Sequence, residues 1–88
     1  MLFMVIEHFK DVRAIGERFA RKGRMLPDGV AYHASWVERG GARCFQVMEA
    51  DGVEPIEAWA SRWQDLFDFE IVPVLTSQQF WAEHGNRS

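Results

Sequence analysis

The first nine residues, MLFMVIEHF (Met1–Phe9), decide how this chain folds. Every side chain up to Ile6 is apolar, which is typical of a short buried strand. A strand with one solvent-exposed face would instead alternate polar and apolar residues. Both faces of this strand therefore need cover, and we expect helices to cover one face and a second copy of the chain to cover the other.

The residues that follow predict a helix and then two strands. Asp11 is a good helix N-cap, the apolar residues after it recur at helical spacing, and Gly23 fits a C-cap. Two strands are predicted over 30–38 and 43–49, and the pair Gly40-Gly41 between them favours a hairpin.

The last third of the chain predicts a helix, a strand and a short terminal helix. Pro55 suits the first position of a helix that carries an apolar stripe. A fourth strand is predicted over 69–75, and Pro73 within it favours an edge position or a bulge. Thr76 and Gln79 have capping-box spacing at the start of the terminal helix.

The order β-α-β-β-α-β with an added helix is that of a ferredoxin-like α+β fold. Right-handed crossovers place the first and third strands in the centre of a four-stranded antiparallel sheet. Both main helices then cover one face and leave the other open. We expect a single domain over residues 1–85, a frayed tail over 86–88, and a homodimer that buries the two open faces in a dimeric α/β barrel.

The alternation along the strands leaves open which side chains meet the helices. One self-consistent assignment sends five apolar residues toward the helices: Met4, Ile6, Trp36, Phe45 and Val47. The same assignment places the following residues on the open face: Phe3, Val5, Glu7, His33, Ser35, Cys44, Gln46 and Met48.

Composition narrows the class of protein. The chain has 88 residues, of which 48% are hydrophobic and 26% charged, so it is globular rather than disordered. A net charge of −3 argues against general nucleic-acid binding. The single cysteine, Cys44, excludes an intrachain disulfide and suits a reducing compartment. With no signal peptide and no membrane-length apolar run, we expect a cytoplasmic protein without nucleic-acid or membrane partners.

Three residues are candidates for catalysis. Glu7 directly follows an apolar run, and Glu70 lies in a strand that should pair beside the first strand. Two carboxylates brought close together raise the pKa of one of them, which suits a general base. His33 could act as a base or ligand contact if it shares a face with Ser35. The alternatives are exposed strand-end carboxylates and a partly buried structural histidine, so whether the chain is an enzyme stays open.

Other residues predict where a small apolar or aromatic ligand would bind. We expect it in the barrel, with these lining residues: Phe3, Val5, Trp36, Gln46 and Met48. Trp59 and Trp63, four residues apart on the second helix, fit either core packing or a ligand cage. The three histidines lack metal-ligand spacing, and no cofactor fingerprint is present, so we expect neither a metal nor a cofactor.

Half of the ten basic residues lie between Arg13 and Arg24. They fit a solvated helix face with cations near its C-terminus. The alternative is a surface that attracts an anionic ligand or a partner protein.

Several stretches together resemble one family of small bacterial proteins. They are MLFMVIEHF, SWVE, RCFQVMEADG and WASRWQDLFDFEIVPV with the helix that follows it. The chain resembles DUF3303, a domain of unknown function, over nearly its whole length. The resemblance implies the dimeric α/β-barrel class, which includes cofactor-independent monooxygenases, muconolactone isomerase-like enzymes and barrels without known chemistry. It supplies no catalytic motif.

Three functions are therefore compatible with the sequence. The first is a homodimeric small-ligand-binding or structural module. The second is a cofactor-independent monooxygenase or isomerase-like enzyme acting on an aromatic or polyketide-like molecule. The third is a protein-interaction subunit that uses the basic face of the first helix.

Overall fold

The structure, a computed structural model, describes residues 1–85. The predicted element order is confirmed, while the predicted frayed tail over 86–88 lies outside the described residues. The elements are β1 (Leu2–Phe9), α1 (Val12–Lys22), β2 (Ala31–Val37), β3 (Arg43–Glu49), α2 (Val53–Ser61), β4 (Phe67–Val74) and α3 (Ser77–Glu83).

The four strands form one antiparallel sheet in the order β2-β3-β1-β4. This is the predicted arrangement, with β1 and β3 in the centre. Pro73 lies in the edge strand β4, where a missing N–H does not interrupt a central ladder. The edge strand β2 is irregular at His33, because the pairing with β3 shifts between Tyr32 and Ala34.

The sheet has an inner face, covered by α1 and α2, and an outer face without cover from either helix. The face assignment made from the sequence is wrong by one residue. Phe3 and Val5 are buried in the same cluster as the α2 residues, and Met4 and Ile6 lie on the outer face. Strand alternation also places the polar side chains of Glu7 and Gln46 on the inner face, where the hydrogen bond between them offsets the cost of burial. On β2 and β3, the predicted faces are also reversed. Trp36, Phe45 and Val47 lie on the outer face, and Ser35, Cys44 and Met48 lie on the inner face.

The core lies between the inner face and α2. Phe3, Val5, Met48 and Ile56 are the largest fully buried side chains. Trp59 and Trp63 pack in the same cluster, as the core interpretation predicts. In contrast, no residue of α1 is buried, so the two helices cover the inner face unequally.

The helix ends follow the sequence with one exception. The Asp11 carboxylate accepts from the Ala14 N–H at 3.1 Å, and the capping box between Thr76 and Gln79 is complete. However, α2 begins at Val53, so Pro55 is its third residue and not its first as predicted, and α2 ends at Ser61, earlier than its apolar stripe predicts. Tight turns follow, and Phe67 already belongs to β4. Within residues 1–85, none of the helices is long and apolar enough to cross a membrane.

Candidate functional site

A cavity of about 180 Å³ lies between the inner face of the sheet and helices α1 and α2. We call it the Glu7 cavity. Most of its wall is apolar and aromatic, while a few polar groups converge on one side, which is the usual composition of a small-molecule site. The apolar lining residues are Phe9, Ile15, Phe19, Val37, Trp59, Trp63 and Phe67, and the polar ones are Glu7, Arg24, Ser35, Cys44 and Gln46.

A chain of hydrogen bonds links three of the polar groups. The Nε–H of Arg24 donates to Gln46 Oε1 at 3.2 Å, and Gln46 Nε2 donates to Glu7 Oε2 at 3.2 Å. An arginine side chain has donors only, so it fixes the orientation of the Gln46 amide and directs the amide N–H toward Glu7. Register places Cys44 directly opposite Glu7 on β3, and its thiol hydrogen-bonds to the carboxyl group.

Burial changes the acidity of both central groups. Glu7 is only 6% exposed, and the loss of hydration on burial raises the pKa of its carboxyl group from 4.5 to about 7. The hydrogen bond from Cys44 and the charge of Arg24 lower this pKa by smaller amounts. Burial, with the nearby Glu7 carboxylate, raises the pKa of the Cys44 thiol to about 11. Glu7 therefore exchanges a proton near neutral pH, whereas Cys44 stays a neutral thiol.

Arg24 is held from two sides. Its backbone carbonyl accepts hydrogen bonds from the indole N–H of Trp59 at 2.9 Å and of Trp63 at 3.0 Å. Its guanidinium carbon lies 3.6 Å from the centroid of the Tyr32 ring, a close cation–π contact. The following residue, Met25, has a φ of 58°, a left-handed conformation that a non-glycine residue adopts at some cost. The α1–β2 loop is thus fixed so that Arg24 reaches back over the sheet.

The two indole donors give a test of this clamp. Trp59→Phe and Trp63→Phe each remove one N–H and some packing, but each leaves the Arg24 carbonyl with one donor. The double variant leaves the partly buried carbonyl without either, so we expect its loss in free energy of unfolding to exceed the sum of the single losses by about 1 kcal/mol. Urea unfolding of the four proteins measures this coupling. Additive losses would show that the carbonyl does not depend on the indoles.

The structure separates the three predicted catalytic residues. Glu7 is in the cavity, but Glu70 pairs with Ile6, one residue along, and is therefore exposed on the outer face. His33 is also exposed, at the irregularity of β2, with Nε2 2.8 Å from Glu49 Oε1. The predicted approach of Glu70 to Glu7 is wrong, because Glu70 is opposite Ile6 and neighbouring residues of a strand point to opposite faces. Across residues 1–85, no group of three His, Cys, Asp or Glu side chains could hold a metal ion.

The predicted ligand-contacting residues are likewise divided. Gln46 lines the Glu7 cavity, and its role in binding stays a prediction. Phe3, Val5 and Met48 do not line it, because they are sealed in the core, and Trp36 is 59% exposed on the outer face.

Sequence reasoning missed Arg24 as a site residue, counting it with the basic helix face. A signal was present: Arg24 directly follows Gly23, so the long side chain starts where the chain turns back toward the sheet. Arg18 is also engaged, in a two-fold hydrogen bond with Asp65 at 2.8 and 2.6 Å. Of the predicted basic face, the exposed members are Arg13, Arg21 and Lys22, and its binding of a partner stays a prediction.

Comparison with known proteins places the chain in a family without a described activity. The model of the domain of unknown function DUF3303 matches residues 1–86. No curated protein matches the chain. No solved structure matches it either. With nearly its whole length matched, the chain belongs to the DUF3303 family.

Proposed function

We propose that this protein binds a small molecule in the Glu7 cavity and does so as a homodimer. The observation that carries the binding proposal is the presence of a buried carboxyl group, tied to Arg24 through Gln46, in the wall of an otherwise aromatic cavity. Burying an ionisable group without a role is costly, and such groups concentrate at functional sites.

The dimensions of the cavity set the class of ligand. An apolar cavity of about 150 Å³ accepts benzene. A volume of about 180 Å³ therefore suits one ring or a short branched chain with one polar group. It is too small for a polycyclic polyketide-like molecule, since typical drug-sized sites have about 300–1,000 Å³. The partly exposed side chains of Phe19, Arg24 and Val37 mark the side from which a ligand would enter.

The binding proposal is tested with a neutral single-ring probe, benzyl alcohol, on isotopically labelled protein. We expect it to shift the NMR signals of the Trp59 and Trp63 indole N–H groups and of the Gln46 amide. Ile15→Phe adds volume at the cavity wall and should weaken this binding about tenfold or more. Val12→Phe, on the same helix but outside the cavity, should leave it unchanged. Absence of cavity shifts with any single-ring probe, or equal effects of the two variants, would overturn the proposal.

A second candidate function is proton transfer to or from the bound molecule, as in an isomerase-like or cofactor-independent monooxygenase reaction. The observation that favours it is the pKa of Glu7, about 7, which is the value that suits a general base at neutral pH. Exchange of an acidic C–H of a bound ketone with deuterated water would detect such transfer. Glu7→Gln should retain binding and lose the exchange, and exchange that persists in this variant would exclude Glu7 as the base.

The outer face supports the dimer part of the proposal. Its strands present apolar side chains to solvent, and Trp36 and Val72 are 59% and 36% exposed. In the centre of this face, the outward side chains of β1 and β3 are all apolar. An apolar patch of this kind marks an interaction surface. The other apolar members are Leu2, Met4, Ile6, Ala34, Phe45, Val47 and Val74.

The area that a stable interface needs favours a second copy of the chain that covers the outer face and also contacts α3. Four strands of seven or eight residues cover a footprint of about 500 Å², below the roughly 800 Å² per partner of a stable interface. Helix α3 adds Phe80 and Trp81, which are 40% and 54% exposed beside the end of this face. The radius of gyration is 14.5 Å, whereas a compact chain of this length has about 12 Å. All seven residues of α3 are exposed, so this helix can contact a partner.

A further inference from the structure

We infer that the Glu7 cavity selects single-ring carboxylates, with the ring between the aromatic walls and the carboxylate paired with Arg24. This inference rests on the proposed binding function and names the ligand class of the same site. Its basis is the geometry of the Arg24 guanidinium, which is fixed in the cavity wall with most of its donors unused.

The unused donors form a fork. Of the five N–H groups of Arg24, only Nε–H donates to an acceptor within residues 1–85, namely Gln46 Oε1. Stacking on the Tyr32 ring, 3.6 Å away, holds the guanidinium plane and leaves the in-plane N–H groups for a ligand. Two parallel N–H groups match the two oxygens of a carboxylate, and such charge-assisted pairs are stronger than neutral hydrogen bonds. A second aromatic ring, Phe19, lies 5.3 Å from the guanidinium and continues the wall toward the cavity.

Glu7 adds a pH dependence to this selection. A ligand carboxylate and an ionised Glu7 in one small cavity repel each other, so anion binding favours the protonated form of Glu7. Protonated Glu7 is also a hydrogen-bond donor toward the ligand.

The elements around Glu7 contribute few other charges. The α1–β2 loop contributes Arg24, and β3 contributes the neutral thiol of Cys44. The other residues that line the cavity carry no titratable group. They are Phe9 of β1, Ile15 and Phe19 of α1, Ser35 and Val37 of β2, Gln46 of β3, Trp59 of α2, Trp63 of the following turn and Phe67 of β4. Arg18, 5.5 Å from the Trp63 ring, is already paired with Asp65.

The experiment compares benzoate with benzamide, which has the same shape without the charge. By NMR titration at pH 6, we expect the unchanged protein to bind benzoate about tenfold more tightly or better. Arg24→Met keeps the backbone clamp and the aliphatic stem, and it should abolish the preference while benzamide still binds. Arg24→Lys keeps the charge but not the fork and should retain part of the preference. Arg21→Met removes an exposed charge of α1 and should change nothing.

The pH series gives an independent readout. Between pH 6 and pH 8, the affinity for benzoate should fall about tenfold as Glu7 ionises, and it should stay level in Glu7→Gln. Equal affinities for benzoate and benzamide would overturn this inference and leave the proposed function standing. Failure of benzoate, benzamide and benzyl alcohol alike to shift the cavity signals would overturn both. A benzoate preference that survives Arg24→Met but not Arg21→Met would place the anion on the helix surface and overturn the inference alone.

Discussion

Glu7→Gln is expected to raise the free energy of unfolding by about 3 kcal/mol at pH 8 and to leave it nearly unchanged at pH 4. Burial raises the pKa of Glu7 from 4.5 to about 7 in the folded protein. The stability that this carboxyl group contributes is fully present below pH 4.5 and is lost as the pH rises through 7. An amide has no charge to bury, and it can still accept from Gln46 Nε2.

Unfolding by urea at pH 4, 6 and 8, at one protein concentration, measures this effect. Glu57→Gln is the matched control, because Glu57 is exposed on α2 and lies outside both the Glu7 cavity and the outer face. We expect its pH profile to follow that of the unchanged protein. If Glu7→Gln instead destabilises the fold equally at every pH, the pKa of Glu7 is the same in the folded and the unfolded chain, and the account of its burial is wrong.

The second large effect concerns assembly. We expect the chain to sediment at twice its mass of 10.2 kDa, and Trp36→Asp to convert it to a monomer. Trp36 lies beside Phe45 on the outer face, and a two-fold interface contains each residue twice. At about 2 kcal/mol or more for each buried aromatic anchor, the dimer should weaken by about 4 kcal/mol, or a thousandfold.

Sedimentation velocity over a dilution series checks this prediction. Val12→Asp is the matched control, since Val12 is 60% exposed and Trp36 is 59% exposed, but Val12 lies on α1. It should leave the dimer intact. A chain that is monomeric at all concentrations would overturn the proposed dimer. An equal loss of dimer in both variants would place the interface elsewhere.

The sequence was sufficient for the architecture but not for the face of the sheet that carries the site. Caps such as Asp11 and Thr76, and the position of Pro73, depend on local chemistry and could be predicted. The inner face could not be identified, because Met4 and Val5 are equally apolar. The face of Glu7 follows from that of Phe3 and Val5 by alternation, and the partner that satisfies its buried carboxyl group, Gln46, is distant in the sequence.

The Glu7 cavity could not be predicted from the sequence, for a different reason. It exists because α1 packs less deeply than α2, and that spacing depends on the whole set of side chains between the layers. Residues far apart in the chain meet there: Arg24 and Gln46 are 22 positions apart, and Glu7 and Gln46 are 39 apart. Proximity of this kind follows from the register of the strands and the conformation of the α1–β2 loop, which the apolar pattern of the sequence does not determine.

The shallow packing of α1 bears on how a ligand reaches the cavity. A helix with no buried side chain can separate from the sheet at a small fraction of the cost of global unfolding. Opening and closing of this one segment would then admit the ligand while β1, β3 and α2 stay folded. Part of the intrinsic affinity would be spent on ordering α1, so substitutions that strengthen α1 far from the cavity would tighten binding without touching the ligand.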